Sequence, residues 1–115
     1  QNNTEKLVKE GMLTPLPERI ELGSEIEVQF RTLYPNGCWT QTEAETATEG
    51  TAADGFTVTH SYTSAYEGEG KMCTMGFKPG GFTTTVTPAE PGVYSGSILL
   101  NGEEKASYQV IVDSP

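Results

Sequence analysis

The sequence contains no apolar run approaching the roughly 18 residues that a bilayer-spanning helix needs. No basic segment leads into a short apolar stretch in the manner of a secretory signal. Bases are scarce as well: 7 Lys and Arg against 16 Asp and Glu give a formal charge of −9, a field that repels phosphate backbones and anionic headgroups. Nucleic acid is therefore not expected as a partner, and the chain reads as soluble. Catalytic equipment is equally thin. There is 1 His, so no second imidazole can act as base or orienter, and the chain has no GxSxG elbow, HExxH helix or phosphate-cradling GxxxxGK[ST] loop. Carboxylate pairs, which suffice for glycoside hydrolysis, are the one catalytic device left open by composition. With no deep pocket expected in so small a domain, the chain reads as non-enzymatic and without a cofactor. Long stretches of Ala, Leu, Glu and Lys at helical spacing are also missing.

What the chain does have is glycine, proline, and residues suited to a pleated, half-buried surface. Gly (13) and Pro (7) imply frequent turns, and the many Thr, Val, Ile, Tyr and Phe residues favour strands. The length of 115 residues suits one core. Residues 1–11 are polar and charged with only Leu7 and Val8 to bury, and read as a flexible lead-in or a short helical turn. Residues 12–115 then form a single domain. The polar start at Gln1 fits a mature secreted chain or a trimmed one, and Asn2-Asn3-Thr4 matches the N-glycosylation pattern only incidentally.

The clearest strand runs over residues 25–32, where Ile26, Val28 and Phe30 alternate with Glu25, Glu27, Gln29 and Arg31. Residues 12–17 read as an edge segment because Pro15 and Pro17 cannot donate to a central ladder. Ile20 and Leu22 share a face over 19–22. Tyr34-Pro35-Asn36-Gly37 is a turn, followed by a strand over 38–42. Residues 43–55 carry no large apolar side chain and read as a mobile loop or irregular edge. Alternation resumes over 56–63, with Phe56, Val58, His60 and Tyr62 on one face. After the loop 67–70, a strand is expected over 71–77, ended by Lys78-Pro79-Gly80-Gly81, and another over 82–87. Residues 92–100 and 105–112, joined by Asn101-Gly102-Glu103-Glu104, read as a hairpin. Seven or eight short strands without helical pattern between them favour a sandwich.

Pro88-Ala89-Glu90-Pro91-Gly92-Val93-Tyr94-Ser95-Gly96-Ser97-Ile98 resembles the turn into the penultimate strand of immunoglobulin-like domains, its Gly-x-Tyr step matching the tyrosine corner. The hairpin that follows resembles the last two strands of bacterial secreted immunoglobulin-like or fibronectin type III-like modules. The resemblance covers about a quarter of the chain. It implies an all-β, immunoglobulin-like, two-sheet antiparallel sandwich of seven to eight strands with one disulfide. It marks fold and says nothing of ligand. The family's later cysteine would stand where this chain has Gly96, so any bridge lies elsewhere. Trp39 directly follows Cys38, and the two side chains should point to opposite faces, with Trp39 inward.

Cys38 and Cys73 are an even pair in a small β-rich chain and read as a disulfide, with two buried free thiols as the plainer alternative. The chain-entropy model gives such a bridge roughly 3 to 4 kcal/mol of stabilisation. A bridge points to an extracytoplasmic setting: periplasmic, secreted or surface-anchored. Tyr34, Tyr66 and Phe82 are the aromatic candidates for partner contact near the loops, against the reading that they plug loop bases. His60 with Met72 and Met75 is a candidate soft-metal set. A structural His60 is the simpler reading, since residues three apart fall on opposite faces of a strand. Glu43, Glu45, Glu49, Asp54, Glu67 and Glu69 read as a solvated acidic surface before a calcium site. The expected function is a binding or spacing module for an unknown protein or glycan, with exposed edge strands as a second route to partners or to another copy. A periplasmic small-ligand or copper carrier and a protease inhibitor are the alternatives.

Overall fold

The computed structural model describes residues 3–115, and Gln1 and Asn2, with the acceptor position of the Asn2-Asn3-Thr4 pattern, lie outside the described residues. The chain begins with a short helix, α1 (Asn3–Lys9), and continues through ten strands: β1 (Met12–Leu13), β2 (Arg19–Glu21), β3 (Ile26–Tyr34), β4 (Trp39–Gln41), β5 (Glu45–Thr51), β6 (Gly55–Tyr62), β7 (Ser64–Tyr66), β8 (Lys78–Val86), β9 (Gly92–Leu100) and β10 (Glu103–Asp113). The lead-in is thus helical up to Lys9, and the strand number exceeds the expected seven or eight through four pieces of two or three residues. Among the described residues no helix is long and apolar enough to cross a membrane.

The strands form a sheet β1-β3-β8, a sheet β2-β10-β9-β6-β5 and a two-stranded piece β4-β7. The two larger sheets share one core. Ile26, Val28 and Phe30 of β3 and Val86 of β8 meet Phe56, Val58 and Tyr62 of β6, Tyr94 and Ile98 of β9, and Val110 and Val112 of β10. The period-two pattern of β3 is the cause: its alternate residues from Ile26 to Tyr34 are all buried, which fixes its register against β8 from Ile26↔Val86 to Tyr34↔Lys78. The expected hairpin is present, turned by Asn101 (φ 54°) and Gly102 (φ 82°), the paired positive φ values of a type I′ turn. The Tyr94 hydroxyl donates to the Glu90 carbonyl at 2.7 Å and the ring stacks on Phe56 with centroids 4.5 Å apart.

Four expectations are corrected. The five-stranded sheet is mixed where an antiparallel one was expected: β6 runs parallel to β9 and β2 parallel to β10. The chain between β6 and β9 passes through β7 and β8, which lie in the other sheets, and so returns beside β6 in the same direction. Residues 78–81 are a strand and no turn, because β8 is an edge strand where Pro79 removes no ladder bond; Gly81 (φ 104°) sits so close to Phe30 that a Cβ would lie 2.0 Å from its carbonyl oxygen. Within 43–55 the chain forms β5, exposed at every residue and held to β6 by backbone pairing. Its Thr residues and the edge position explain how a segment without large apolar side chains stays extended. Residues 71–77 form no strand: Gly70 (φ 75°) and Gly76 (φ 99°) break the extended path, and no neighbouring strand pairs with it.

Candidate functional site

The inner face of β3 changes character towards its end, from Ile26, Val28 and Phe30 to Thr32 and Tyr34. Beyond it the chain turns at Pro35–Gly37, where the Asn36 side chain accepts from the Cys38 amide at 2.9 Å, an Asx turn that delivers Cys38 and β4. Trp39 of β4 pairs with Tyr66 of β7, their rings 5.5 Å apart, and stacks on Tyr34 with centroids at 5.4 Å and planes 8° apart. Trp39 is therefore half-buried in an aromatic stack at the end of the molecule and does not belong to the core cluster.

Gln41 ties this end to β8 by imitating a strand. Its amide donates to the Gly81 carbonyl (2.7 Å), while its oxygen accepts from the Gly81 amide (3.0 Å) and from the Tyr34 hydroxyl (2.8 Å). The Lys78 ammonium donates to the Trp39 carbonyl at 2.6 Å.

The bridge between Cys38 and Cys73 is formed, with Cα atoms 5.3 Å apart and a sequence separation of 35. It staples the irregular segment 67–77 onto the end of β4. Two backbone bonds reinforce it: the Glu67 amide donates to the Cys38 carbonyl and the Gly37 amide to the Thr74 carbonyl. Gly68 is required at its position, since a Cβ would stand 2.5 Å from the Tyr66 hydroxyl and 2.6 Å from Cys73 Sγ. The segment's apolar side chains nonetheless face water: Met72 is 100% exposed, Met75 93%, Phe77 58%, and the adjoining Tyr66 49%.

Of the aromatic residues singled out for contact, only Tyr66 stands outward. Tyr34 is 7% exposed, and Phe82 is partly buried against the core, its ring 5.5 Å from that of Tyr62. Sequence reasoning missed the exposure of Met72, Met75 and Phe77, having assigned them to a strand. The glycines at 68, 70 and 76 were the available signal that no strand forms there.

His60 is not brought together with Met72 and Met75. Its side chain is fully buried, with Nδ1 at 2.9 Å from the Thr46 hydroxyl and Nε2 at 2.7 Å from the Tyr108 hydroxyl. A neutral imidazole donates at one nitrogen and accepts at the other, and hydroxyls serve both needs. Both nitrogens are occupied, while the two methionines stand in solvent, so the proposed soft-metal set is dispersed. The acids are spread as well: Glu45 and Glu49 lie along β5, and Asp54 sits in the β5–β6 turn. Among the described residues no group of three or more His, Cys, Asp or Glu is placed to hold a metal ion.

Burial lowers the His60 pKa below its ordinary value and raises that of Tyr108 to about 12. The folded protein thus resists protonating His60 while the unfolded chain accepts the proton near pH 6.5, so stability is fully present above pH 6.5 and falls as the pH drops below it. Urea unfolding between pH 7.5 and 5.5 should show this decline, and a His60→Gln variant should show a flatter profile over the same range. Equal slopes in the two proteins would assign the dependence to other groups.

No protein-family model, curated protein or solved structure matches this chain.

Proposed function

We propose that this chain is a non-enzymatic extracytoplasmic module of the immunoglobulin-like or fibronectin type III-like sandwich class, and that it docks a protein partner through the stapled segment 67–77. The observation that carries this reading is the exposure of Met72, Met75 and Phe77 on a segment fixed by a disulfide, with exposed Tyr66 of β7 beside it. Clustered apolar side chains held in water mark interaction surfaces. Methionine adapts its shape to an apolar recess, and a covalently tethered loop loses little entropy on binding. The partner's chemistry follows from the same end of the molecule and from the net charge of −9: an apolar recess with a basic rim. The disulfide supports an oxidising compartment. Two sheets over one core, with Tyr94 bonded back to Glu90, support the sandwich class, while the parallel β6–β9 pair distinguishes this chain from the ordinary antiparallel order.

A second reading has the same loop as its support. An exposed, disulfide-pinned segment is the form in which a protease inhibitor presents its contact residues. Affinity capture from the extracytoplasmic fraction of the source cells separates the readings, using the wild-type domain, the M72S/M75S/F77S variant and a Glu45→Lys control on β5. Docking predicts one protein enriched by wild type and control and lost at least about tenfold with the triple variant. If that protein is a protease and the domain blocks it, the inhibitor reading replaces docking. Equal capture by all three proteins would overturn both.

A further inference from the structure

The two sheets that share the core are unequal, β1-β3-β8 against β2-β10-β9-β6-β5. β8 is an outer strand of the smaller sheet, and its free edge is only partly closed. Gly81 already has a substitute neighbour there, since the Gln41 side chain bonds both its amide and its carbonyl. Backbone groups of successive residues in a strand turn to opposite sides, so Thr83 and Thr85 present theirs on the same side as Gly81. The ladder to β3 runs without a register break from Ile26↔Val86 to Tyr34↔Lys78, which preserves that alternation. Both threonines are exposed, and no strand lies on that side of β8 among the described residues. The stretch Thr83-Thr84-Thr85 carries no charge, proline or bulge, the usual protections of an edge.

The larger sheet is uncovered at the matching place. β8 lies over β6, with the Phe82 ring 5.7 Å from that of His60 and 5.5 Å from that of Tyr62. The next strand position outward from β8 therefore lies over β5. Thr46 bonds to buried His60 at 2.9 Å and Thr48 pairs with buried Val58, so both side chains lie on the core face of β5. They are exposed nevertheless, because the smaller sheet ends at β8. A groove of about 470 Å³ runs along this side, with Gly81, Phe82 and Thr83 on one wall and Thr42, Glu43 and Ala44 on the other.

We propose that the β8 edge takes up an extended, basic segment of a partner protein as a fourth strand of the smaller sheet, paired with the backbone of Thr83 and Thr85. Backbone pairing supplies the attachment in such additions, and alternate side chains supply the selectivity. Inward side chains of the guest meet Phe82, Thr46 and Thr48, a setting that suits Val, Ile or Thr. Charge decides the source of the guest. Glu43 lines the groove and the chain carries −9, so a terminal Lys on the guest is attracted while a second copy of this chain is repelled. This surface is separate from the stapled segment and does not depend on docking there.

The probe is the end-capped peptide KVTVTVK, compared with EVTVTVE and with KVTVTVK N-methylated at both Thr residues, which cannot donate to β8. Binding to the full chain is followed by amide NMR shifts and hydrogen exchange. KVTVTVK should give saturable shifts centred on residues 82–86 and slow exchange of the Thr83 and Thr85 amides at least about tenfold. EVTVTVE should bind about tenfold more weakly, and the N-methylated peptide not at all. Thr83→Pro deletes an edge donor where, as at Pro79, no ladder bond is lost, and Thr48→Lys sets a like charge beneath the guest. Each should weaken binding about tenfold while lowering the melting temperature by less than about 3 °C, whereas M72S/M75S/F77S should bind as wild type does. No saturable shift up to about 1 mM KVTVTVK, equal binding of the N-methylated peptide, or undiminished binding by both Thr83→Pro and Thr48→Lys would overturn the proposal. So would a peptide-free dimer by light scattering with the Thr83 and Thr85 amides already protected, which would assign the edge to a second copy.

Discussion

Replacing both Cys38 and Cys73 by Ser is expected to lower the melting temperature by about 10 to 15 °C. The bridge closes a loop with a sequence separation of 35, for which loop-closure entropy gives roughly 3 to 4 kcal/mol. Near the melting point, 1 kcal/mol corresponds to roughly 4 °C in a domain of this size. The loop contains β4, β5, β6 and β7, so opening it enlarges the unfolded ensemble of a third of the chain. Local effects should exceed the global one. The two-stranded β4–β7 piece is marginal by itself, and segment 67–77 keeps only its few backbone bonds once the staple is gone. Amide exchange should therefore accelerate first at residues 38–42 and 64–77, while β9 and β10 stay protected. A melting point lowered by less than about 3 °C would mean that the aromatic stack and Gln41 hold this end without the bridge.

Gly96→Ala is expected to destabilise the domain by about 3 kcal/mol, more than a single methyl group ordinarily does. Gly96 lies in the middle of β9, between Val58 of β6 and Tyr108 of β10. The Tyr108 ring lies across the space where its side chain would be: a Cβ would stand 2.0 and 2.1 Å from two ring carbons. The added methyl displaces that ring, whose hydroxyl is the 2.7 Å partner of His60 Nε2. Overpacking costs about 1 to 3 kcal/mol, and the loss of a buried partner adds about 1 to 3 kcal/mol. A double-mutant cycle isolates the cause. With Tyr108→Ala in place the glycine has room, so adding Gly96→Ala should cost less than about 0.5 kcal/mol in urea unfolding. Additive losses would show that the ring is not what the methyl meets.

How much could be read beforehand varied along the chain with how strongly each segment is buried. β3, β6, β9 and β10 bury alternate side chains, and the period-two pattern reports that directly. The tyrosine corner and the Asn101-Gly102 turn were legible because each depends on a few adjacent residues. β5 was not legible as a strand, since its partners are backbone groups of β6 and its own side chains bury nothing. The parallel placement of β6 beside β9 depends on which sheet β8 enters, a long-range choice that local pattern does not encode. At the stapled end, the pairing of Cys38 with Cys73 followed from number and context. The outward aim of Met72, Met75 and Phe77 did not, because an apolar residue normally signals burial and here marks its opposite.

The pairing of β2 with β10 joins residues 19–21 to 111–113, fastened further by the Arg19–Asp113 contact at 2.9 Å and by the Ile111 amide donating to the Glu18 carbonyl. During synthesis from the N-terminus, β2 is made long before β10, the one strand it pairs with among the described residues. Ile20 must wait uncovered while the rest of the chain is made. β10 lies between β9 and β2, so its docking joins the two in one sheet. A chain without residues 111–113 would keep most of the β9–β10 ladder and lose only the latch to β2.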